Sequence, residues 1–313
     1  VFVGRTRVSL DPFCLSHPPQ RICGWMKAEG PEGSKWPALD LSGALQAQTR
    51  ELGFITALVP EIDRASGDLN ADIKLSGTLG APQIEGVLAL EKGEMDLFLV
   101  NLMLREMEMR LEMRGKMLSL NGQARAGQGS FQVDGKLEWE SGAPFGNLDL
   151  KGENLLITNV PEARIHASPR ISVGIQGREV QVDGAVTVPY ARLAPANLSG
   201  AMLPSADEVI VGTPPADPDK SFRVTTGILL VLGDDVRIES YGLSGKLTGK
   251  ITSFTSPDEP GTASGELSVE EGEYSAYGRE LEIERGRLIF TGGLGGNPGV
   301  DIRATRKFPE VLA

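Results

Sequence analysis

The run Arg105-Glu-Met-Glu-Met-Arg-Leu-Glu-Met-Arg-Gly115 alternates charged and apolar residues without a break from Glu106 to Arg114. On an extended strand successive side chains point to opposite faces, so Met107, Met109, Leu111 and Met113 share one face. Glu106, Glu108, Arg110, Glu112 and Arg114 share the other. On a helix the same residues scatter around the axis and leave no apolar stripe. The spacing predicts a half-buried strand.

The alternation spreads outward from this run. Upstream, Leu69, Ala71, Ile73, Leu75 and Leu79 alternate with polar residues, and strands follow over 86–90 and 96–100. Downstream, strands are predicted over 117–122, 131–139, 148–156, 171–175 and 180–188. They resume at Phe222 and continue over 236–240, 243–251, 263–269, 273–277 and 279–290. A Gly-x-apolar-x-apolar pattern recurs at Gly86, Gly135, Gly184 and Gly265, the first three equally spaced. Units of this kind cannot bury their apolar face alone and do so by stacking on neighbours. One short helix is predicted over Thr49 to Leu58, with Leu52, Ile55 and Val59 on one side and Pro60 as its stop.

Composition agrees. The chain has 313 residues, above the size where one compact core keeps growing, so it is either several domains or elongated. Its 39 glycines and 5% aromatics suit many strands and tight turns. A net charge of −11 lacks the positive field that phosphate backbones attract, which argues against nucleic acid as a partner. Four segments are expected. They are a cysteine loop, connector and short helix over 1–65, strands over 66–212, a Pro-rich loop over 213–220 and strands over 221–313.

Cys14 and Cys23 bracket a Pro-rich loop. They read as a disulfide, which places the chain in an oxidising compartment, periplasmic or extracellular; two free thiols are the alternative. His17 is the only other soft ligand nearby, too few for a closed zinc site. No run reaches the roughly 20 apolar residues of a membrane span, and no signal peptide is evident. The chain opens at Val1 and stops at Ala313 without a closing turn, which reads as a fragment.

Catalytic chemistry was sought in the motifs that carry it. There is no Gly-x-Ser-x-Gly elbow, no His-Glu-x-x-His and no phosphate loop, and His166 lies far from His17. Most carboxylates alternate with apolar residues, as on the wet face of an antiparallel sheet. No catalytic residue, metal or cofactor is therefore assigned, and the chain reads as a non-enzyme. A secreted β-helical enzyme acting on polysaccharide stays as an alternative, and so do a β-solenoid scaffold and an adhesin-type passenger with a dry core.

The stretch from Ala263-Ser-Gly-Glu-Leu-Ser-Val269 through Leu288-Ile-Phe-Thr-Gly-Gly293, continued by Val300-Asp-Ile-Arg-Ala-Thr-Arg306, resembles the C-terminal domain of the TamB family. That family comprises translocation and assembly module subunits and is AsmA-like. Gly77-Thr-Leu-Gly-Ala-Pro-Gln-Ile-Glu-Gly86, Val186-Thr-Val-Pro189, Ser205-Ala-Asp-Glu-Val-Ile-Val211 and the paired cysteines add to the likeness. The resemblance implies a parent protein anchored in the inner membrane of a Gram-negative bacterium and crossing the periplasm. It also implies an outer-membrane barrel partner, TamA, and roles in phospholipid transport between membranes and in outer-membrane protein assembly. The implied fold is all-β: an elongated, predominantly antiparallel sheet curled into a taco-like trough with an apolar concave face.

Such a trough suits phospholipid acyl chains. Exposing about 15 methylenes to water costs roughly 12 kcal/mol, and an apolar floor removes most of that. The residues expected on the floor are Leu88, Leu90, Met107, Met109, Leu111, Met113, Phe131, Val133, Leu137, Trp139, Val180, Val182, Val186, Val188, Leu281, Ile283, Leu288 and Phe290.

Overall fold

The computed structural model describes residues 2–3, 7–18, 20–53, 56, 62–97, 102–140, 143–194, 222–257, 259–276, 279–294 and 298–306. Among them the chain is nearly all strand, as the alternation predicts. The strands are β1 (Phe2–Val3), β2 (Arg7–His17), β3 (Gln20–Glu29), β4 (Asp40–Glu51), β5 (Ile62–Thr78) and β6 (Ala81–Leu97). Next come β7 (Leu102–Gly115), β8 (Met117–Ala126), β9 (Gly129–Glu140), β10 (Ala143–Glu153), β11 (Leu155–Val160) and β12 (Ala163–Gln176). The series ends with β13 (Glu179–Leu193), β14 (Arg223–Ser240), β15 (Leu243–Ser256), β16 (Glu259–Ala276), β17 (Arg279–Leu294) and β18 (Gly299–Thr305).

The chain divides into two units. Unit 1 holds Val1–Leu155 with Gly174–Gly177, and unit 2 holds Leu156–Val173 and Arg178–Ala313. In unit 1 each strand from β1 to β10 pairs antiparallel with the next in sequence. In unit 2 the same meander runs from β14 to β18. One pairing departs from it: β13 and β14 are parallel. Parallel neighbours need a long crossover, and the residues between Leu193 and Arg223 supply its length. That connection contains the Pro-rich loop expected at 213–220, which lies outside the described residues. Within each unit the sheet is open, rather than the curled trough that the resemblance implies.

The N-terminal 65 residues differ from the loop and helix expected there. Cys14 and Cys23 are disulfide-bonded, and they sit directly opposite each other on β2 and β3, in a hairpin rather than a loop. Pro12 hid β2 in the sequence, and it falls at the register shift between Leu10 and Phe13, where a missing N–H is tolerated. Thr49 to Glu51, expected to open the helix, complete β4 instead, with Thr49 opposite Leu69. Leu52 is neither helix nor strand, Gly53 and Thr56 are helical, and residues 54, 55, 57 and 58 lie outside the described residues.

Three of the four recurring glycines share a role, Gly265 (φ +132°, against the Lys250 carbonyl) with Gly86 and Gly184. Gly86 and Gly184 have φ near +150°, and a Cβ on either would collide with a neighbouring backbone carbonyl, that of Asp72 or Arg170. Only glycine tolerates both the dihedral and the approach. Gly135, the member between them, has no such φ.

Candidate functional site: an apolar sheet face

Residues directly opposite each other on paired strands share a face. Applied across unit 1, the register builds continuous apolar rows. One runs Leu15, Ile22, Ala47, Ala71, Leu88, Leu111, Leu120, Gly135 and Leu148, from β2 to β10. Beside it runs Leu69, Leu90, Met109, Gly122, Val133 and Leu150. A third carries Leu45, Ile73, Gly86, Met113, Leu118 and Leu137.

The unit 1 residues expected on the floor all map to this face. Phe131 lies opposite Ala124, and Trp139 follows Leu137 by alternation at the strand end, where it is 38% exposed. In unit 2, Val186, Leu230, Ile251, Gly265 and Phe290 make one row, and Val188, Leu232, Gly249, Leu267 and Leu288 the next. Val180 and Val182 extend that face along β13, opposite Val224 and Thr226.

Leu281 and Ile283 are odd-numbered whereas Leu288 and Phe290 are even, so a regular strand would put the pairs on opposite faces. A register shift between Ile283 and Arg285 reconciles them. Glu271, at φ +50°, marks the matching irregularity on β16, and Val269 and Ile283 both border Gly272 and Gly286. The founding run behaves alike: Glu106 has φ +50°, which turns Leu104 to the side of Met107 and leaves Met103 52% exposed.

Most of these side chains are half-buried. Leu88, Met109, Leu111, Met113, Leu120 and Leu137 keep part of their surface open, and Leu90, Met107 and Val133 are the buried exceptions. Complete burial appears at the ends of the face in unit 1. A single 3₁₀ turn, Trp36–Ala38, brings fully buried Leu39 onto Ala28 and Leu41, with Val8, Met26, Leu75 and Leu79 around them. Beyond the other end of β4, Leu52 is 1% exposed. In unit 2 a buried knot of Val188, Ala191 and Val236 packs with Leu230, Leu232 and Leu247.

The opposite face is wet. Arg110 and Arg114 both bind Glu112, at 2.8 and 3.1 Å, and Gln123 donates to Glu108 at 2.7 Å. The Arg110 hydrogen bond, then the Arg110 charge, holds the Glu112 carboxyl below the usual range, with a lesser opposing effect of burial. A depression of about 520 Å³ opens on this wet face, lined by Arg21, Gln46, Gln48, Asn70, Asp72 and Arg110. Ala47 and Ala71 of the first apolar row also border it. His166 packs edge-on to Tyr190 at 5.3 Å, in a ring contact beneath Arg192.

The expected floor leaves out part of the apolar face, including Leu118, Leu120, Leu148, Ile228, Leu230 and Ile251, and it leaves out Ile73 although its alternation is plain in the sequence. Sequence reasoning also missed the shifts of register, which show in the sequence as a change of parity among apolar residues, from Leu104 to Met107 and from Ile283 to Leu288.

These features define a class: an open, largely antiparallel β-sheet protein with one apolar and one charged face. The chain belongs to the TamB family. Residues 119–311 match the model of the TamB C-terminal domain, and residues 32–90 match that of the TamB N-terminal domain. It is 21% identical over 286 residues to the translocation and assembly module subunit TamB of Haemophilus influenzae. That alignment covers 87% of this chain and 22% of the relative, so the chain spans about a fifth of that protein's length.

Proposed function

We propose that the apolar face receives phospholipid acyl chains, as part of a TamB-like periplasmic protein that carries lipid between inner and outer membranes and aids outer-membrane protein assembly. The observation behind it is the row Leu88–Leu111–Leu120, whose side chains are apolar, continuous across strands and half open. A dry sandwich core would bury such a row completely. Curling each sheet toward its apolar face would make a trough, and Met107, Met109 and Met113 would let its floor repack around varied chains. The parent would be anchored in the inner membrane and would meet a barrel partner of the TamA kind.

Native mass spectrometry with lipid extraction tests the reading. The purified protein should carry phospholipid, and Leu137→Asp should reduce bound lipid at least about tenfold by placing a charge among apolar chains, with the strands retained by circular dichroism. Glu108→Gln, on the wet face, should leave lipid loading unchanged. A folded, lipid-free protein that takes up no added phospholipid would falsify the trough and favour a scaffold with a dry interior.

A further inference from the structure

Most shifts of register in unit 1 adjoin one another. They fall between Thr49 and Glu51, Ser66 and Asp68, Leu90 and Met95, and Arg105 and Glu108, while those between Leu10 and Phe13 and between Ile62 and Arg64 stand apart. Strands β4 to β7 are neighbours, and the irregular positions adjoin across them, so the ladder is interrupted along one line. A bulge bends its strand and increases the local twist, and bulges side by side make a crease. Lys92 and Glu106, both at φ +50°, lie on that line.

Ion pairs line the crease on the wet face, joining neighbouring strands along it. Arg50 of β4 binds Asp68 of β5, with Lys92 of β6 4.0 Å from the same carboxylate. Arg64 of β5 reaches Asp96 of β6 at 3.0 Å, and Arg105 of β7 reaches it at 2.7 Å and lies 3.9 Å from Glu94. Arg125 of β8 stands 3.9 Å from Glu106. Each of β4 to β7 is tied to the next strand where its backbone is irregular.

Unit 2 repeats the arrangement with other residues. Adjoining shifts occur between Val188 and Tyr190, Leu232 and Arg237, Ser244 and Lys246, and Ile283 and Arg285, and two more, between Phe254 and Ser256 and between Thr262 and Ser264, stand apart from them. Arg192 binds Asp235 at 2.8 Å, and Arg237 lies 3.8 Å from both Asp235 and Glu271. Glu284 is held by Arg303 at 3.0 Å.

We propose that the creases are hinges latched by these ion pairs, and that the latch sets how far each sheet closes over its apolar face. The inference rests on the trough reading for its consequence and on the crease geometry for its mechanism. Bulged segments have the fewest ladder bonds to resist bending, so charge pairs on the wet side decide the angle. Pairs that are partly exposed respond to salt, which makes the angle adjustable.

Spin labels at Asp63 and Gln83, both exposed and on opposite sides of the unit 1 crease, report the angle by pulsed electron resonance. In 1 M NaCl, where charges are screened beyond ~3 Å, the main distance should shift by ~3 Å or more. Asp96→Asn and Arg105→Gln should each cause such a shift at low salt, whereas Glu112→Gln, away from the crease, should not. An unchanged distance in 1 M NaCl and in both folded variants overturns the hinge. The same samples are titrated with a fluorescent fatty-acyl probe. Probe affinity that changes with the distance supports the latch, and a shifted distance with unaltered affinity overturns its control of the trough. Wild-type protein that binds no probe sinks the trough reading alone, because the distance measurement is independent of it.

Discussion

Unit 1 separates its two faces more sharply along β7 than unit 2 does along β14. In β7 the wet face carries Glu108, Arg110, Glu112 and Arg114 against an apolar face of leucine and methionines, although Val87 and Ala89 of β6 lie opposite Glu112 and Arg110. In β14 the run Ile228-Leu-Leu-Val-Leu232 is apolar on both faces, with Leu229 and Val231 turned away from Leu230 and Leu232. This strand has a parallel neighbour, β13, which nevertheless alternates, with Val180, Val182, Val186 and Val188 against Gln181, Asp183 and Thr187. Continuous apolar runs are common in strands paired in parallel. The difference teaches that pairing direction alone does not set the pattern of a strand.

The comparison breaks most readily at the recurring glycines. Gly86→Ala in unit 1 and Gly184→Ala in unit 2 force a Cβ into a carbonyl at a forbidden φ and should each cost roughly 2–3 kcal/mol, read by urea unfolding. Gly135→Ala, lacking the unusual φ, should cost clearly less. Equal losses at all three positions would dissolve the structural repeat.

Reduction of Cys14–Cys23 comes next. The bridge closes a loop of about ten residues, for which chain entropy gives roughly 2.5 kcal/mol. Hydrogen exchange should quicken in β2 to β4 while unit 2 is unaffected. Uniform quickening would mean that the two units unfold as one.

Asp96 offers the smallest and sharpest effect. The Arg105 hydrogen bond, opposed by burial and reinforced by the charges of Arg105 and Arg64, holds its carboxyl below the ordinary 3.8. A carboxyl with a lowered folded pKa stabilises the fold above its unfolded value, and the contribution drains away as pH falls through the lowered one. Asp96→Asn should therefore cost about 1 kcal/mol at neutral pH. Its deficit against wild type should shrink as the pH drops below 3.8 in a thermal-shift series. A deficit independent of pH would assign the loss to packing.

The strands from β5 onward were legible because alternation is a local signal that survives without knowledge of partners. The N-terminal strands were not. β4 reads Asp40-Leu-Ser-Gly-Ala-Leu-Gln-Ala-Gln-Thr-Arg-Glu51, too rich in small and amide residues to stand out, and it is held by ladders with β3 and β5. The expected helix began too early because Thr49 and Arg50 belong to that ladder, a contact with Leu69 and its neighbours that spacing alone does not reveal. The apolar face was legible in part. Each strand's inward set could be read singly, but joining sets into rows needs register, and register shifts at Lys92, Glu106 and Glu271 change parity midway.

In the antiparallel meander of unit 1, no pairing waits for a distant part of the chain. Each new strand can dock on the one just completed, so loop-closure entropy stays small at every step. A chain emerging from a membrane, amino end first, could zip into sheet in the order of its arrival. Its apolar rows would lengthen one hairpin at a time, and hairpins gained or lost would change the reach of the face without disturbing what came before. Among the described strands, β14 must hold back until its long crossover has returned it beside β13.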